Sequence, residues 1–197
     1  PHAGFEILRR IAERVPDGAF VFTSNVDGQF QKAGFAAEQI VECHGSIHHL
    51  QCSEPCGEAI WAADDLLPDV DADACRLRSA LPTCPRCGAL ARPNILMFGD
   101  WNWCEARSEA QHTRLAVWRR RVERLLVIEL GAGTAVPTVR RFGASLGGLL
   151  IRINPDEPQL EGARGVALPE NALPALQGIA AALAAQGWAD FSAKTGA

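Results

Sequence analysis

The sequence predicts an α/β protein, a parallel sheet wrapped by helices with a small metal-binding module inserted. Three observations predict it. Short continuous apolar runs at residues 19–23, 125–130 and 149–153 have the character of strands buried on both faces. Helix-periodic stretches separate them, and alternating strands and helices argue for a parallel sheet. Between residues 45 and 100 the apolar periodicity lapses, and two cysteine pairs take its place.

Taken in order, Phe5, Leu8, Ile11 and Ala12 repeat at helical spacing over residues 2–14. Pro16-Asp17-Gly18 breaks that pattern as a turn. The run at 19–23 is a strand, and Ser24-Asn25-Val26-Asp27-Gly28 follows at its carboxyl end, where open α/β sheets bind ligands. Residues 40–43 form a second short strand ending at His44. An amphipathic helix is expected over 105–123 and a buried strand over 125–130. That strand enters the turn Gly131-Ala132-Gly133-Thr134, and a helix begins after Pro137, a residue suited to a helix start. A strand at 149–153 ends at Asn154-Pro155, a last short strand covers 165–168, and Asn171 is placed to cap a helix running to about residue 186.

The insertion carries Cys52, Cys56, Cys84 and Cys87. Two closely spaced pairs some tens of residues apart can converge on one tetrahedral ion, the pattern of structural zinc. A closed four-cysteine site has no open position, so the ion should hold the fold and the chemistry should lie elsewhere. His48 and His49 are spare, because four thiolates already complete a tetrahedron. Too few periodic apolar residues occupy 45–100 for that stretch to fold without its metal.

Composition narrows the partners. The chain has 197 residues, 48% of them hydrophobic and 21% charged, with net charge −4 and pI near 5.7. No basic excess invites a nucleic-acid backbone, and the run Arg119-Arg120-Arg121 with Arg124 reads as a solvated helix face. No apolar run approaches the roughly 18 residues of a membrane span, and no secretory signal opens the chain. Seven cysteines, four at metal spacing, suit a reducing cytoplasm better than a disulfide framework.

Chemistry has three candidate locations. Asn25 and Asp27 at a strand end are either an Asx-type turn or a polar floor for a ligand amide and ribose. His44 follows the neighbouring strand and is the candidate general base. The Gly131–Thr134 turn is either a plain tight turn or a place where backbone N–H groups meet a phosphate. It lacks the third glycine of a dinucleotide fingerprint.

In sequence, these segments resemble the sirtuins, NAD-dependent protein deacylases. Thr23-Ser24-Asn25-Val26-Asp27-Gly28 is similar to the family's Thr-Gln-Asn-Ile-Asp-Gly, and Glu42-Cys43-His44-Gly45-Ser46 to its Glu-x-His-Gly-Ser. The four cysteines match its zinc ligands. Arg92-Pro93-Asn94-Ile95-Leu96-Met97-Phe98-Gly99-Asp100 is similar to its Arg-Pro-x-Val-Val-x-Phe-Gly-Glu, and Ile153-Asn154 to its later Ile-Asn. The resemblance implies a Rossmann-like domain at 1–44 and 101–190, and a zinc domain at 45–100. It implies NAD and an acyl-lysine peptide as ligands. His44 would be the general base, with Ser24, Asn25 and Asp27 around the nicotinamide ribose. Gly131, Gly133, Thr134 and Asn154 would contact the adenosine half. Ile95, Leu96, Met97, Phe98 and Gly99 would receive the peptide as an added strand.

Departures from the family pattern shape the expectations. The family's opening strand and Gly-Ala-Gly-x-Ser loop have no counterpart, so a truncated form, a fragment of a longer protein or half of a split enzyme is expected. Ser24 stands where the family has Gln, Ala132-Gly133 where it has Thr-Ser, and Trp101-Asn102-Trp103 adds bulk after the peptide strand. Two further readings use the same residues: NAD hydrolysis or ADP-ribosyl transfer, and an inactive zinc-bearing binding module.

Overall fold

In the structure, a computed structural model, residues 1–54 and 56–188 are described. The expected core-domain end at residue 190 lies outside them. In chain order the elements are α1 (Ala3–Arg14), β1 (Val21–Thr23), α2 (Gln29–Lys32), β2 (Ile40–Glu42), β3 (Gly45–Cys52), β4 (Ile60–Ala62), β5 (Val70–Asp71), β6 (Arg76–Leu77), β7 (Ala91–Ile95), α3 (Ala106–Arg119), β8 (Leu126–Leu130), α4 (Thr138–Ser145), β9 (Leu149–Ile153), β10 (Gly165–Leu168) and α5 (Ala172–Ala185). Among the described residues no helix is long and apolar enough to cross a membrane. Contacts group the chain into two units, one of residues 1–20, 29–39 and 116–197, the other of residues 21–28 and 40–115.

The first unit holds a parallel sheet in the order β10-β9-β8, with Leu126 opposite Leu149 and Gly165 opposite Leu150. Ile153, Ala175 and Leu176 are its buried core, joined by Ile7 and Leu8 of α1, Ile128, Leu130 and Ile151 of the sheet, and Ile179 of α5. His2 caps α1, its Nδ1 accepting the Gly4 N–H at 3.0 Å. Pro137 occupies the cap position of α4, and Asn171 that of α5, where its side chain makes no capping bond. Inside the apolar sheet, Glu129 and Arg152 face each other across β8 and β9, both about 1% exposed. Arg152 donates Nε and Nη2 to the two carboxylate oxygens of Glu129, the bidentate form of a buried ion pair.

The second unit joins a short parallel pair, β1-β2, to an antiparallel sheet in the order β4-β3-β7. The parallel strands thus lie in two hydrogen-bonded sheets, one per unit. The lapse of periodicity over 45–100 conceals β3, an eight-residue strand at the centre of the antiparallel sheet. Its pairing with β7 shifts register between Ser46 and Leu50, which breaks the alternation a sequence reading depends on. β7 contains Pro93 and is an edge strand, where a residue without an N–H is tolerated. The acidic stretch 64–73 contains β5, the first strand of the short hairpin β5-β6, which carries an Arg78–Asp71 ion pair.

Candidate functional site

The metal centre is assembled by sheet register. β3 ends at Cys52, opposite Ala91 at the start of β7, and Ser53 N–H reaches Leu90 O at 3.0 Å. The turn carrying Cys84 and Cys87 is closed by Gly88 N–H to Cys84 O at 2.9 Å. The sulfurs of Cys52, Cys56, Cys84 and Cys87 all lie within 4.8 Å of one another, with Cys52–Cys87 at 3.6 Å and Cys56–Cys84 at 3.7 Å. Four sulfurs about 2.3 Å from one zinc ion stand about 3.8 Å apart, so the group fits structural zinc. The surroundings differ from thiol to thiol. Backbone N–H groups of Cys87 and Arg86 directed at its sulfur hold Cys84 down to about 6. The neighbouring thiols of Cys52 and Cys87 push Cys56 up to about 12. Cys84 therefore offers a thiolate most readily, and a bound cation deprotonates the others.

The parallel pair β1-β2 places two of the expected catalytic segments side by side. Thr23 pairs with Glu42, and Cys43 N–H donates to Thr23 O at 2.9 Å. The 24–28 segment and His44 thus leave the carboxyl ends of adjacent parallel strands, where ligands bind in open α/β sheets. Thr23 Oγ1 accepts the Asn25 N–H at 3.0 Å, and the His48 ring bonds the Asp27 carbonyl at 3.2 Å. Val26 O accepts the Ile47 N–H at 2.9 Å, tying the segment to β3. Asn25 is exposed, while Ser24, Asp27 and His44 are half-buried. Cys43 is buried, and burial pushes its thiol up to about 11, which leaves it inert beside His44.

His44 is held by its backbone. Its carbonyl accepts the Leu96 N–H at 3.0 Å, where β7 ends and the expected peptide segment begins. Of that segment, Ile95 is in β7, whereas residues 96–97 are irregular and 98–99 a turn, with Met97 60% and Phe98 93% exposed. Gly45 lies opposite Ile95 with φ +83°, and a Cβ there would stand 1.9 Å from Asn94 O. Only glycine permits so close a crossing of β7 beside His44.

A set of residues that sequence reasoning missed clamps the same strand end. From one face of α3, Gln111 Oε1 accepts the Glu42 N–H at 3.1 Å, Ser108 Oγ donates to Glu42 O at 3.5 Å, and Arg107 forms an ion pair with the Glu42 carboxylate. Glu42 is 1% exposed. Its Oε1, Arg107 Nη1 and His49 Nδ1 are buried without partners among the described residues. Burial, then the Arg107 charge, holds the His49 ring below the usual histidine range. Helical spacing of 107, 108 and 111 was the available signal, but nothing in the sequence linked it to Glu42.

The other unit gathers Gly131, Gly133, Thr134 and Asn154. Gly131 N–H donates to Ile153 O at 2.9 Å, and Asn154 Nδ2 to Ala132 O at 3.3 Å. Arg140, 4% exposed, donates to the carbonyls of Ala132, Glu157 and Gln159, stitching this turn to the segment after β9. The Glu157 carboxylate, also unforeseen, accepts both the N–H and the hydroxyl of Thr134. Those bonds hold its carboxyl below the usual range. An acidic group thus already satisfies the Thr134 N–H.

Parallel sheets with glycine turns at their strand ends, together with a four-thiol group that fits zinc, define an α/β class of protein with a metal-binding module. The sequence profile of the Sir2 family matches residues 1–129, and the chain belongs to that family. An NAD-dependent protein deacylase of Aquifex aeolicus is 28% identical over 159 residues, which is 80% of this chain and 58% of that protein. An NAD-dependent protein deacetylase 2 of Caldanaerobacter subterraneus is 30% identical over 190 residues, covering 89% and 69% of the two chains. A crystal structure of a Sir2 homologue–NAD complex superposes with TM-score 0.65 at 21% identity, covering 94% of this chain and 66% of the other. That likeness is one of fold. The chain spans a little over half the length of the first of these relatives.

Proposed function

We propose that this chain carries the catalytic residues of an NAD-dependent protein-lysine deacylase, moving an acyl group from lysine to ADP-ribose as nicotinamide leaves. One observation carries the reading: in a Sir2-family chain, the 24–28 segment and His44 follow the carboxyl ends of adjacent parallel strands, and His44 O accepts the Leu96 N–H just past the end of β7. His44 serves as general base, taking a proton from a ribose hydroxyl as the acyl group passes to the sugar. Asn25 and Asp27, beside Ser24, hold the nicotinamide ribose. Residues 95–99 receive the acyl-lysine peptide against an edge strand, main chain to main chain. Gly131, Gly133, Thr134 and Asn154 serve the adenosine half. Cys52, Cys56, Cys84 and Cys87 hold zinc, which supports the module and stays out of the reaction.

The domain division proposed with this reading is a Rossmann-like part at 1–44 and 101–190 and a zinc part at 45–100. Residence in the cytoplasm is supported by seven free cysteines, four at metal spacing. Neither nucleic acid nor membrane is proposed as a partner, given the net charge of −4. The test is nicotinamide release from NAD by this chain, with and without an acetyl-lysine peptide. Peptide-dependent release that disappears in His44→Ala supports the proposal. Release that ignores the peptide points to NAD hydrolysis, and release undiminished in His44→Ala removes that residue from the reaction.

A further inference from the structure

β3 departs from its partner strand where it passes the 24–28 segment. From Ser46 to Leu50 it advances four residues, while β7 advances one, from Asn94 to Pro93. Bulges of this kind re-aim side chains and free backbone groups, and they gather beside functional sites. Here the irregularity turns two consecutive residues towards one loop. Ile47 N–H donates to Val26 O at 2.9 Å, and His48 Nε2 donates to Asp27 O at 3.2 Å. A carbonyl only accepts, so Nε2 carries the hydrogen in that bond.

The direction of the His48 ring is set from the backbone up. His48 N–H donates to Ser46 Oγ at 3.2 Å, and its carbonyl accepts the Ala63 N–H, just past β4, at 3.0 Å. On the loop side, Thr23 Oγ1 accepts the Asn25 N–H, and Gly28, buried at φ +67°, turns the chain directly after Asp27. The segment is thus held at three points: the Asn25 N–H, the Val26 carbonyl and the Asp27 carbonyl. The first hold is local, and the second is a main-chain bond that any residue but proline at 47 would supply. The third spans 21 positions and depends on which side chain stands at 48. Neither the four-thiol group nor the acyl-transfer scheme uses that ring. A main chain fixed before its ligand arrives gives its side chains a set direction and lowers the ordering cost of binding.

We propose that His48 is a positioning residue for the co-substrate: through Asp27 O it sets the 24–28 segment, and with it the Asn25 and Asp27 side chains, for the nicotinamide ribose. That the segment receives NAD rests on the deacylase reading; that His48 holds the segment does not.

The test compares the parent with His48→Gln, whose amide nitrogen can take the place of Nε2, and His48→Phe, which keeps a ring and loses the donor. Nicotinamide release is measured against NAD and against acetyl-lysine peptide, and amide exchange is followed at Asn25 and Ile47. His48→Phe should raise KM for NAD about fivefold, the worth of one hydrogen bond, with KM for the peptide unchanged, and should speed exchange at both amides. His48→Gln should recover most of both effects. The ring is half-buried on a strand held by main-chain bonds, so both variants should melt within about 3 °C of the parent. Three proteins alike in both measurements, equal losses in His48→Gln and His48→Phe, or a parallel rise in the peptide KM would overturn the proposal. No nicotinamide release from the parent, with exchange faster in His48→Phe alone, would sink the deacylase reading and leave His48 as the holder of the segment. Peptide-dependent release with all three proteins alike would do the reverse.

Discussion

Gly45 follows His44 at φ +83°, with space for no Cβ between it and Asn94 O. Gly45→Ala should therefore cost more than about 2 kcal/mol, combining left-handed strain with backbone displacement. Urea unfolding reads this directly, and a loss under about 0.5 kcal/mol would mean that β7 yields easily. His44 itself makes its positioning contact through its carbonyl, so His44→Ala should remove turnover with the unfolding midpoint unchanged. Nearby, His49 titrates below the free value of 6.5, with Arg107, Glu42, Asp64 and His48 as its charged and titratable surroundings. As pH falls below 6.5 the unfolded chain takes up that proton first, so the native state loses stability. The unfolding free energy should decline from pH 7 towards pH 5, and less steeply in His49→Gln. Identical slopes would exonerate His49. The sequence displayed His44 and Gly45 together but not the reason, because the carbonyl that demands glycine lies 49 positions away, at Asn94.

At the scale of elements, the strands most readily foreseen were those whose apolar runs are continuous, such as β8 and β9. Burial on both faces leaves that mark whatever the partners are. β3 was overlooked because a bulge and polar inward side chains, among them Ser46 and Gln51, erase the alternation. The ion pair inside β8 and β9 was visible only as two charges interrupting apolar runs, and register alone makes them partners. That pair yields a prediction with internal controls. Arg152→Met strands Glu129 in the core and should cost about 3–5 kcal/mol, whereas joining it with Glu129→Leu should recover most of that loss. A double variant no better than the single one would mean that Arg152 acts mainly through its bond to Gln159 O. The clamp of α3 on β2 follows the same logic, since Arg107→Met leaves the 1%-exposed Glu42 carboxylate without its ion.

For the whole molecule, the two compact units draw on different sources of stability. The first has an apolar core of its own around Ile153, Ala175 and Leu176. The second sets its antiparallel sheet against a four-thiol group whose closure binds residues 52–56 to 84–87. Metal binding to such a module is folding free energy, because the unfolded chain offers no preformed site. Chelation, or Cys84→Ser, which deletes the thiol held near 6, should therefore strip amide protection from β3, β4 and β7. Hydrogen exchange in β8 and β9 should remain slow under the same treatment. Loss of protection in β8 and β9 at the same chelator concentration would show that zinc supports more than its own module. Protection of β3 surviving full metal removal would show instead that the sheet stands on its buried polar network, Gln51 with Asn94 and Cys104, and that the thiols are passengers. The cysteine spacing made the metal legible in the sequence, while that network, built from an amide pair 43 positions apart, is what the sequence could not disclose.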